Sequence, residues 1–439
     1  MKSRKTLWLL MLILCTTLYG CGNKTLKGLP PGWIREEFPE QYALPISKLE
    51  AEGQRNWVLN LNELAVDALR RNDRELAILS LDEAILEIEV IYGNSEQARQ
   101  ARSVWRSEGR KIFKGDPYER SMTYFYRGVL YMQDQEWDNA RACFRSALFQ
   151  DAFAEDQNYN ADWCTFEYLI GVCELQMRNA TNAREAFDRA LKNYDQFRSS
   201  LTEFSYAPSS SFNTGNPISF QQTLPLADSK TNLLVITQQG RAPVKKAIGQ
   251  FNELLTYDPG GGGSQPLALS FGDNSLKPVI TDSLYYQAKT RGGRALDSVL
   301  RGQAQFKEVG EKLGTTSAQV GTVILMSGAN NRNDEGAVIV GAGLVALGAI
   351  SYGISSLIRP QADIRAWKSL PETLGIWAGE LQQSKILLQA KAQGAPEVLA
   401  QEISLPAPGN GLQVILVFSP PMGTILPNKH SNVLTTGFN

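Results

Sequence analysis

Histidine is nearly absent from this chain of 439 residues, in which His430, close to the C-terminal end, is the single example. One imidazole in that position excludes most catalytic centres that use histidine as a general acid or base, and most metal sites with histidine ligands. Cysteine is scarce as well: the five cysteines include no CxxC spacing, which argues against a zinc site. We therefore expect neither a bound metal nor a histidine-dependent hydrolase.

An excess of positive charge is also missing, since 44 Lys and Arg residues face 45 Asp and Glu residues. Nucleic-acid-binding domains usually have a basic face, so we expect no nucleic acid partner. The glycine run at 260–263 lacks the preceding strand, the following helix and the Lys-Ser/Thr pair of a phosphate-binding loop. We interpret it as a plain loop, and we expect no cofactor.

The N-terminal 20 residues have the form of a secretory signal peptide, with basic residues at positions 2, 4 and 5 followed by an apolar run. Cys21 comes directly after Leu-Tyr-Gly, which resembles the lipobox of bacterial lipoproteins and predicts lipidation of Cys21. Residues 21–50 then form a lipidated tether. Because Gly22 is not the Asp that commonly retains lipoproteins at the inner membrane, we expect the periplasmic face of the outer membrane. The alternative is an ordinary signal or anchor in which Cys21 is incidental.

The other cysteines beyond the signal are Cys143, Cys164 and Cys173. We expect three small buried side chains on helices. A disulfide between Cys143 and one of the other two is the alternative in an oxidising compartment.

Residues 51–198 have apolar side chains at helical spacing and contain a repeat. The spacing resembles the tetratricopeptide (TPR) helix–turn–helix pattern. The stronger copies lie at Tyr124, Gly128, Tyr131, Ala140, Phe144 and Ala147, and at Gly171, Ala183, Phe187 and Ala190; a weaker copy lies at Leu61, Leu64, Ala65, Ala68, Ala77, Leu81 and Ala84. An unrelated helical bundle is the alternative.

Residues 199–439 predict a mixed α/β domain. Strands are expected at 231–237, 267–271, 277–281 and 412–418, a helix at 282–313, and an irregular tail from Pro420. The whole chain is thus α+β, with a TPR-like block packed on this domain. Two apolar Gly/Ala-rich stretches, 317–326 and 337–358, predict a buried helical hairpin, although the second is also long enough to span a bilayer.

Taken together, the lipobox, the repeats, the segment 240–246 and the sequence Ala-Asp-Ile-Arg-Ala-Trp at 362–367 resemble an uncharacterised family of TPR-containing bacterial lipoproteins. The resemblance implies architecture and location rather than an activity. Its most specific residues are Asp363, Arg365, Trp367 and Pro371. If 363–367 is a strand, Asp363 and Arg365 share a face and can pair. We expect a structural corner there, with a ligand site as the alternative.

The first helix of each repeat is expected to point apolar residues into a concave groove. We take six of them as partner-binding residues: Met122, Phe125, Val129, Met132, Tyr168 and Val172. The corresponding positions elsewhere are Leu59, Asn62, Val66, Leu69, Thr165 and Leu175. We also expect the C-terminal half of the chain to cover part of this groove.

These features favour a non-enzymatic adaptor, anchored by lipid to the envelope membrane and binding an envelope protein. One alternative is an envelope hydrolase with a carboxylate site drawn from Asp258, Asp273, Asp282 and Asp363, although no spacing singles out a pair. The other is a transport or secretion component that uses 337–358 as a membrane segment.

Overall fold

The computed structural model describes residues 40–93, 112–113, 115–152, 163–203, 223–260, 267–289, 308, 362–392, 398–419 and 423–428. The fold is α+β, with helices in the N-terminal half and strands in the C-terminal half, as expected. The predicted signal peptide, Cys21, most of the predicted tether and both apolar stretches lie outside the described residues. Among the described residues, no helix is both long enough and apolar enough to cross a bilayer.

The helices are α1 (Ala43–Glu52), α2 (Trp57–Arg70), α3 (Arg74–Gly93), α4 (Pro117–Gln133), α5 (Trp137–Ala152), α6 (Cys164–Gln176) and α7 (Ala180–Glu203), with the short α8 (Leu284–Lys289) between strands. Helices α2 and α3, α4 and α5, and α6 and α7 pack as pairs. Gly128 on α4 faces the ring of Phe144 on α5, and Gly171 on α6 faces the ring of Phe187 on α7. A glycine lets each pair of helices approach closely because it leaves room for the aromatic ring.

The turns inside the three pairs have the same backbone geometry. Asn72, Gln135 and Arg178 occupy the same place in each turn, with φ of 59°, 63° and 64°. After each of them, a backbone N–H closes the turn onto the helix before it: Asp73 N to Ala68 O at 2.8 Å, Glu136 N to Tyr131 O at 2.9 Å, and Asn179 N to Glu174 O at 2.8 Å. This is the helix-ending arrangement usually made by glycine, so the absence of glycine hid it in the sequence.

The strands are β1 (Leu233–Gln239), β2 (Val244–Ile248), β3 (Leu254–Asp258), β4 (Leu267–Phe271), β5 (Asn274–Leu276), β6 (Val279–Ser283), β7 (Thr373–Gly379), β8 (Lys385–Ala392), β9 (Val398–Ser404), β10 (Gln413–Phe418) and β11 (Thr424–Leu426). They form a five-stranded sheet in the order β11-β10-β1-β7-β6, a four-stranded sheet in the order β5-β4-β8-β9, and the hairpin β2–β3. Strands β1 and β10 are parallel.

The five-stranded sheet is the middle of three layers. Leu234 and Ile236 of β1 belong to the core shared with the helices, whereas Leu233 and Val235 belong to the core shared with the four-stranded sheet. A strand that is buried on both faces needs a continuous apolar run, which explains the Leu-Leu-Val-Ile sequence of β1.

Several details differ from the sequence predictions. Residues 43–52 form helix α1, although we expected residues 21–50 to be a tether. Asp282 lies in strand β6, where we expected the start of a helix, and the helix described after it is α8. The tail contains the strand β11 instead of being irregular throughout. The three cysteines are free thiols on helices, as we expected in preference to a disulfide, but only Cys164 and Cys173 are buried and Cys143 is half-buried.

Candidate functional site

The predicted groove is filled by the chain itself. All six residues that we assigned to a partner are buried: Met122, Phe125, Val129, Met132, Tyr168 and Val172. They belong to one core with strand residues such as Ile236 and Leu416. The assignment of these six side chains to a partner protein is therefore corrected: the five-stranded sheet takes the place that we gave to a partner.

Aromatic and polar contacts join the helices to this sheet. The ring of Tyr126 on α4 lies 5.7 Å from that of Trp367 and 6.3 Å from that of Phe418 on β10. Its hydroxyl donates to Gln238 Oε1 at 2.8 Å, and the Tyr168 hydroxyl donates to the Pro225 carbonyl at 2.6 Å. These hydrogen bonds satisfy buried polar atoms where the helices meet the C-terminal half of the chain.

A cluster of buried charges lies at the N-terminus of α4. Asp116 is the N-cap, Pro117 begins the helix, and Glu119 completes a capping box in which its Oε2 accepts the Asp116 N–H at 2.7 Å. Carboxylates are favoured here because the first backbone N–H groups of a helix have no partner within the helix.

Lys245 of β2 enters this cluster from the hairpin β2–β3. Its Nζ lies 2.7 Å from Glu119 Oε2 and 2.9 Å from Asp116 Oδ2, and it donates to the Arg365 carbonyl at 2.9 Å. Burial raises the pKa of Glu119, while the positive charge of Lys245 acts in the opposite direction. Lys245 lies in the 240–246 segment but had no predicted role, and Asp116 and Glu119 were not predicted, although the capping-box spacing is visible in the sequence.

Asp363, Arg365 and Trp367 lie beside this cluster. Asp363 and Arg365 pair as expected, with Arg365 Nη2 2.6 Å from Asp363 Oδ2, but they lie in a loop and not on a strand, and Asp363 Oδ1 accepts the Arg365 backbone N–H at 3.0 Å. Arg365 also donates to Asn56 Oδ1 at 2.6 Å, on the other side of the interface. Trp367 is fully buried, and its backbone N–H donates to Glu119 Oε1 at 2.8 Å. Pro371 is buried two residues before β7.

These contacts join two of the segments on which the family resemblance was based. The 240–246 segment supplies Lys245 and the 362–367 segment supplies the Arg365 carbonyl and the Trp367 N–H, and both bind the same capping box. The contacts describe a corner between the helices and the C-terminal half.

The four carboxylates considered for an enzyme site lie in different parts of the fold, and three of them have different partners. Asp258 pairs with Lys246, Asp363 pairs with Arg365, and Asp273 lies in the exposed turn between β4 and β5. Asp282 is buried and accepts the backbone N–H groups of Cys164 at 3.2 Å and Thr165 at 2.7 Å. It therefore caps helix α6 from the neighbouring sheet.

A cavity of about 510 Å³ opens where the α2–α3 turn meets the end of α4 and strand β11. Its wall includes both apolar and charged side chains: Leu69, Arg71, Asn72, Asp73, Arg74, Glu75, Ile78, Leu130, Gln133, Leu426, Pro427 and Asn428. Arg74 binds Gln133 and Asp134, and Gln133 Nε2 donates to the Leu426 carbonyl at 2.8 Å. The cavity is thus built jointly by the helices and the sheet.

Within the described part of the chain, no three His, Cys, Asp or Glu residues are grouped in a way that could hold a metal ion. Comparison of the sequence with protein-family models and curated proteins, and of the structure with solved structures, gave no match.

Proposed function

We propose that this chain is a non-enzymatic adaptor of the bacterial envelope, anchored through lipid on Cys21 at the periplasmic face of the outer membrane. The signal peptide followed directly by Cys21 supports the anchor and the compartment. A lipid anchor confines a protein to one surface and raises its effective concentration near envelope partners.

The main support for an adaptor is the threefold repetition of one helix–turn–helix unit. The turns at Asn72, Gln135 and Arg178 share a left-handed residue and the same closing hydrogen bond. The Gly128–Phe144 and Gly171–Phe187 contacts repeat as well. We interpret the three units as TPR-like repeats, which stack into extended surfaces suited to binding proteins.

The partner has to bind outside the concave face of the repeats, because the sheet fills that face. The repeats then hold the C-terminal half in place, and together they offer composite surfaces such as the cavity beside β11. An envelope protein is the expected partner.

The anchor is tested with Cys21→Ser, and Cys15→Ser within the signal serves as the matched control. We expect Cys21→Ser to be released from membranes by carbonate and Cys15→Ser to stay in the outer-membrane fraction. Retention of Cys21→Ser after carbonate extraction would contradict anchoring by lipid alone and would favour the membrane-segment alternative at 337–358.

The adaptor role is tested by crosslinking in cells that produce the native chain or Cys21→Ser. We expect the same envelope proteins to crosslink to the native chain in independent experiments and to be lost with the released variant. If the native chain crosslinks to no envelope protein above the level of an unrelated lipoprotein, the adaptor proposal is wrong.

A further inference from the structure

The ammonium group of Lys245 is enclosed where the hairpin β2–β3 meets helix α4. Its side chain is 2% exposed. Three oxygen atoms surround Nζ at hydrogen-bond distance: Glu119 Oε2 at 2.7 Å, Asp116 Oδ2 at 2.9 Å and the Arg365 carbonyl oxygen at 2.9 Å. A primary ammonium has three N–H donors, so each of these oxygens can accept one of them.

Two aromatic rings complete the enclosure. Nζ of Lys245 lies 5.6 Å from the centroid of Phe113 and 5.9 Å from that of Tyr118. A cation within about 6 Å of a ring face is attracted by the ring quadrupole. Two carboxylates, a carbonyl and two rings are therefore arranged around one positive charge.

The acceptors are held in place by groups other than Lys245. Glu119 Oε1 accepts the Trp367 backbone N–H at 2.8 Å, and Glu119 Oε2 accepts the Asp116 backbone N–H at 2.7 Å. Asp116 Oδ2 accepts the Tyr257 hydroxyl at 2.5 Å. Because these bonds do not involve Lys245, we expect both carboxylates to keep their positions when its side chain is removed.

We propose that this enclosure, formed by Asp116, Glu119, the Arg365 carbonyl and the rings of Phe113 and Tyr118, is a binding site for a primary ammonium ion. The chain fills the site with its own Lys245, whose ammonium group acts as an internal ligand. This contact attaches the hairpin β2–β3 to the helices. When the side chain is shortened, the site binds a small primary alkylammonium ion from solution. This inference does not depend on the adaptor function.

The test uses Lys245→Ala in the full chain. The substitution removes three methylene groups and the ammonium, which together correspond to n-propylammonium. We expect Lys245→Ala to have a lower Tm than the native chain, and n-propylammonium chloride to raise the Tm of the variant in a concentration-dependent way. Sodium chloride and tetramethylammonium chloride at the same ionic strength should not raise the Tm of the variant, because neither the sodium nor the tetramethylammonium cation donates hydrogen bonds.

Lys246→Ala is the matched control. Lys246 is the next residue of the same strand, its side chain is 55% exposed, and it pairs with Asp258 at the surface. We expect n-propylammonium to have no selective effect on Lys246→Ala or on the native chain. Adding Glu119→Gln to Lys245→Ala should abolish the response, because it removes the charge of the carboxylate closest to the ammonium.

The proposal is wrong if n-propylammonium raises the Tm of Lys245→Ala no more than tetramethylammonium does, or raises the Tm of Lys246→Ala equally. If Lys245→Ala does not fold by itself, the yield of refolded protein with and without n-propylammonium replaces the Tm. An unchanged yield would then contradict the proposal.

Discussion

Among single residues, Asp282 has the least expected role. Its carboxylate lies in strand β6 but accepts the first backbone N–H groups of helix α6, at Cys164 and Thr165. The free N–H groups at the start of a helix favour an acceptor with negative charge. Here a neighbouring sheet supplies the cap, which ties the second half of the chain to the first.

The pH dependence of the free energy of unfolding should show the contribution of Asp282. Burial raises the pKa of Asp282 to about 7, even though hydrogen bonds from Thr165 and Cys164 favour the charged form. In the unfolded chain the pKa is about 3.9. The folded state therefore holds the proton more tightly, and the stability due to this proton is full below pH 4 and is lost as the pH rises through about 7.

We expect Asp282→Asn to remove this dependence. The difference in free energy of unfolding between the native chain and Asp282→Asn should fall between pH 4 and pH 8, by at most about 4 kcal/mol. Urea unfolding at a series of pH values measures it, and Asp273→Asn, in an exposed turn, is the control. A difference that stays constant with pH would mean that Asp282 has the same pKa in both states.

At the scale of helices and strands, two of the three helix pairs depend on the same contact between a glycine and a phenylalanine ring. A Cβ atom at Gly128 would lie 2.6 Å from a ring carbon of Phe144, and one at Gly171 would lie 2.7 Å from a ring carbon of Phe187. Both distances are too short for carbon atoms that are not bonded. The glycines are therefore required by the closeness of the helices, not by the backbone conformation.

We expect Gly128→Ala and Gly171→Ala to destabilise the protein by similar amounts, about 1–3 kcal/mol each, because the added methyl group overpacks the core. The intrinsic preference of alanine for helices acts in the opposite direction, by about 1 kcal/mol. Thermal or urea unfolding measures the change. Phe144→Leu combined with Gly128→Ala should recover part of the loss, and an increase in stability in the single variants would disprove the close contact.

In the whole molecule, the main feature is that the helices and the five-stranded sheet share one core. The sheet packs on α4 and α6, and Tyr126 packs against both Trp367 and Phe418. This packing removes a large apolar area from water, which stabilises the folded chain. The two halves are therefore expected to unfold together.

Phe125→Ala tests this shared core. Phe125 is fully buried, so we expect a loss of about 3–5 kcal/mol in the free energy of unfolding. Crosslinking to partners should be unchanged at temperatures where the variant is folded. Phe149, which is 59% exposed, is the control, and Phe149→Ala should change stability by about 0.5 kcal/mol or less. If folded Phe125→Ala no longer crosslinked to the partners, the result would support the original prediction that the groove binds them.

Local patterns in the sequence were sufficient for much of this architecture. The helical spacing located the helices that contain Gly128 and Gly171, because one apolar stripe per helix is enough to define its buried face. The apolar run of β1 and that of β10 predicted buried strands for the same reason. The pairing of Asp363 with Arg365 was also predicted, although the prediction assumed a strand and the two residues lie in a loop.

Only the tertiary structure decided what covers the groove and where the buried charges meet. Phe125 and Tyr168 have the same apolar character whether a partner or the chain's own sheet covers them. Lys245 is 126 residues from Glu119, and Asp282 is 117 residues from Thr165. The sequence by itself determined most of the helices and the strands β1 and β10, because these depend on neighbouring residues. The ammonium enclosure and the cap on α6 depend on contacts between distant segments, and these exist only in the folded chain.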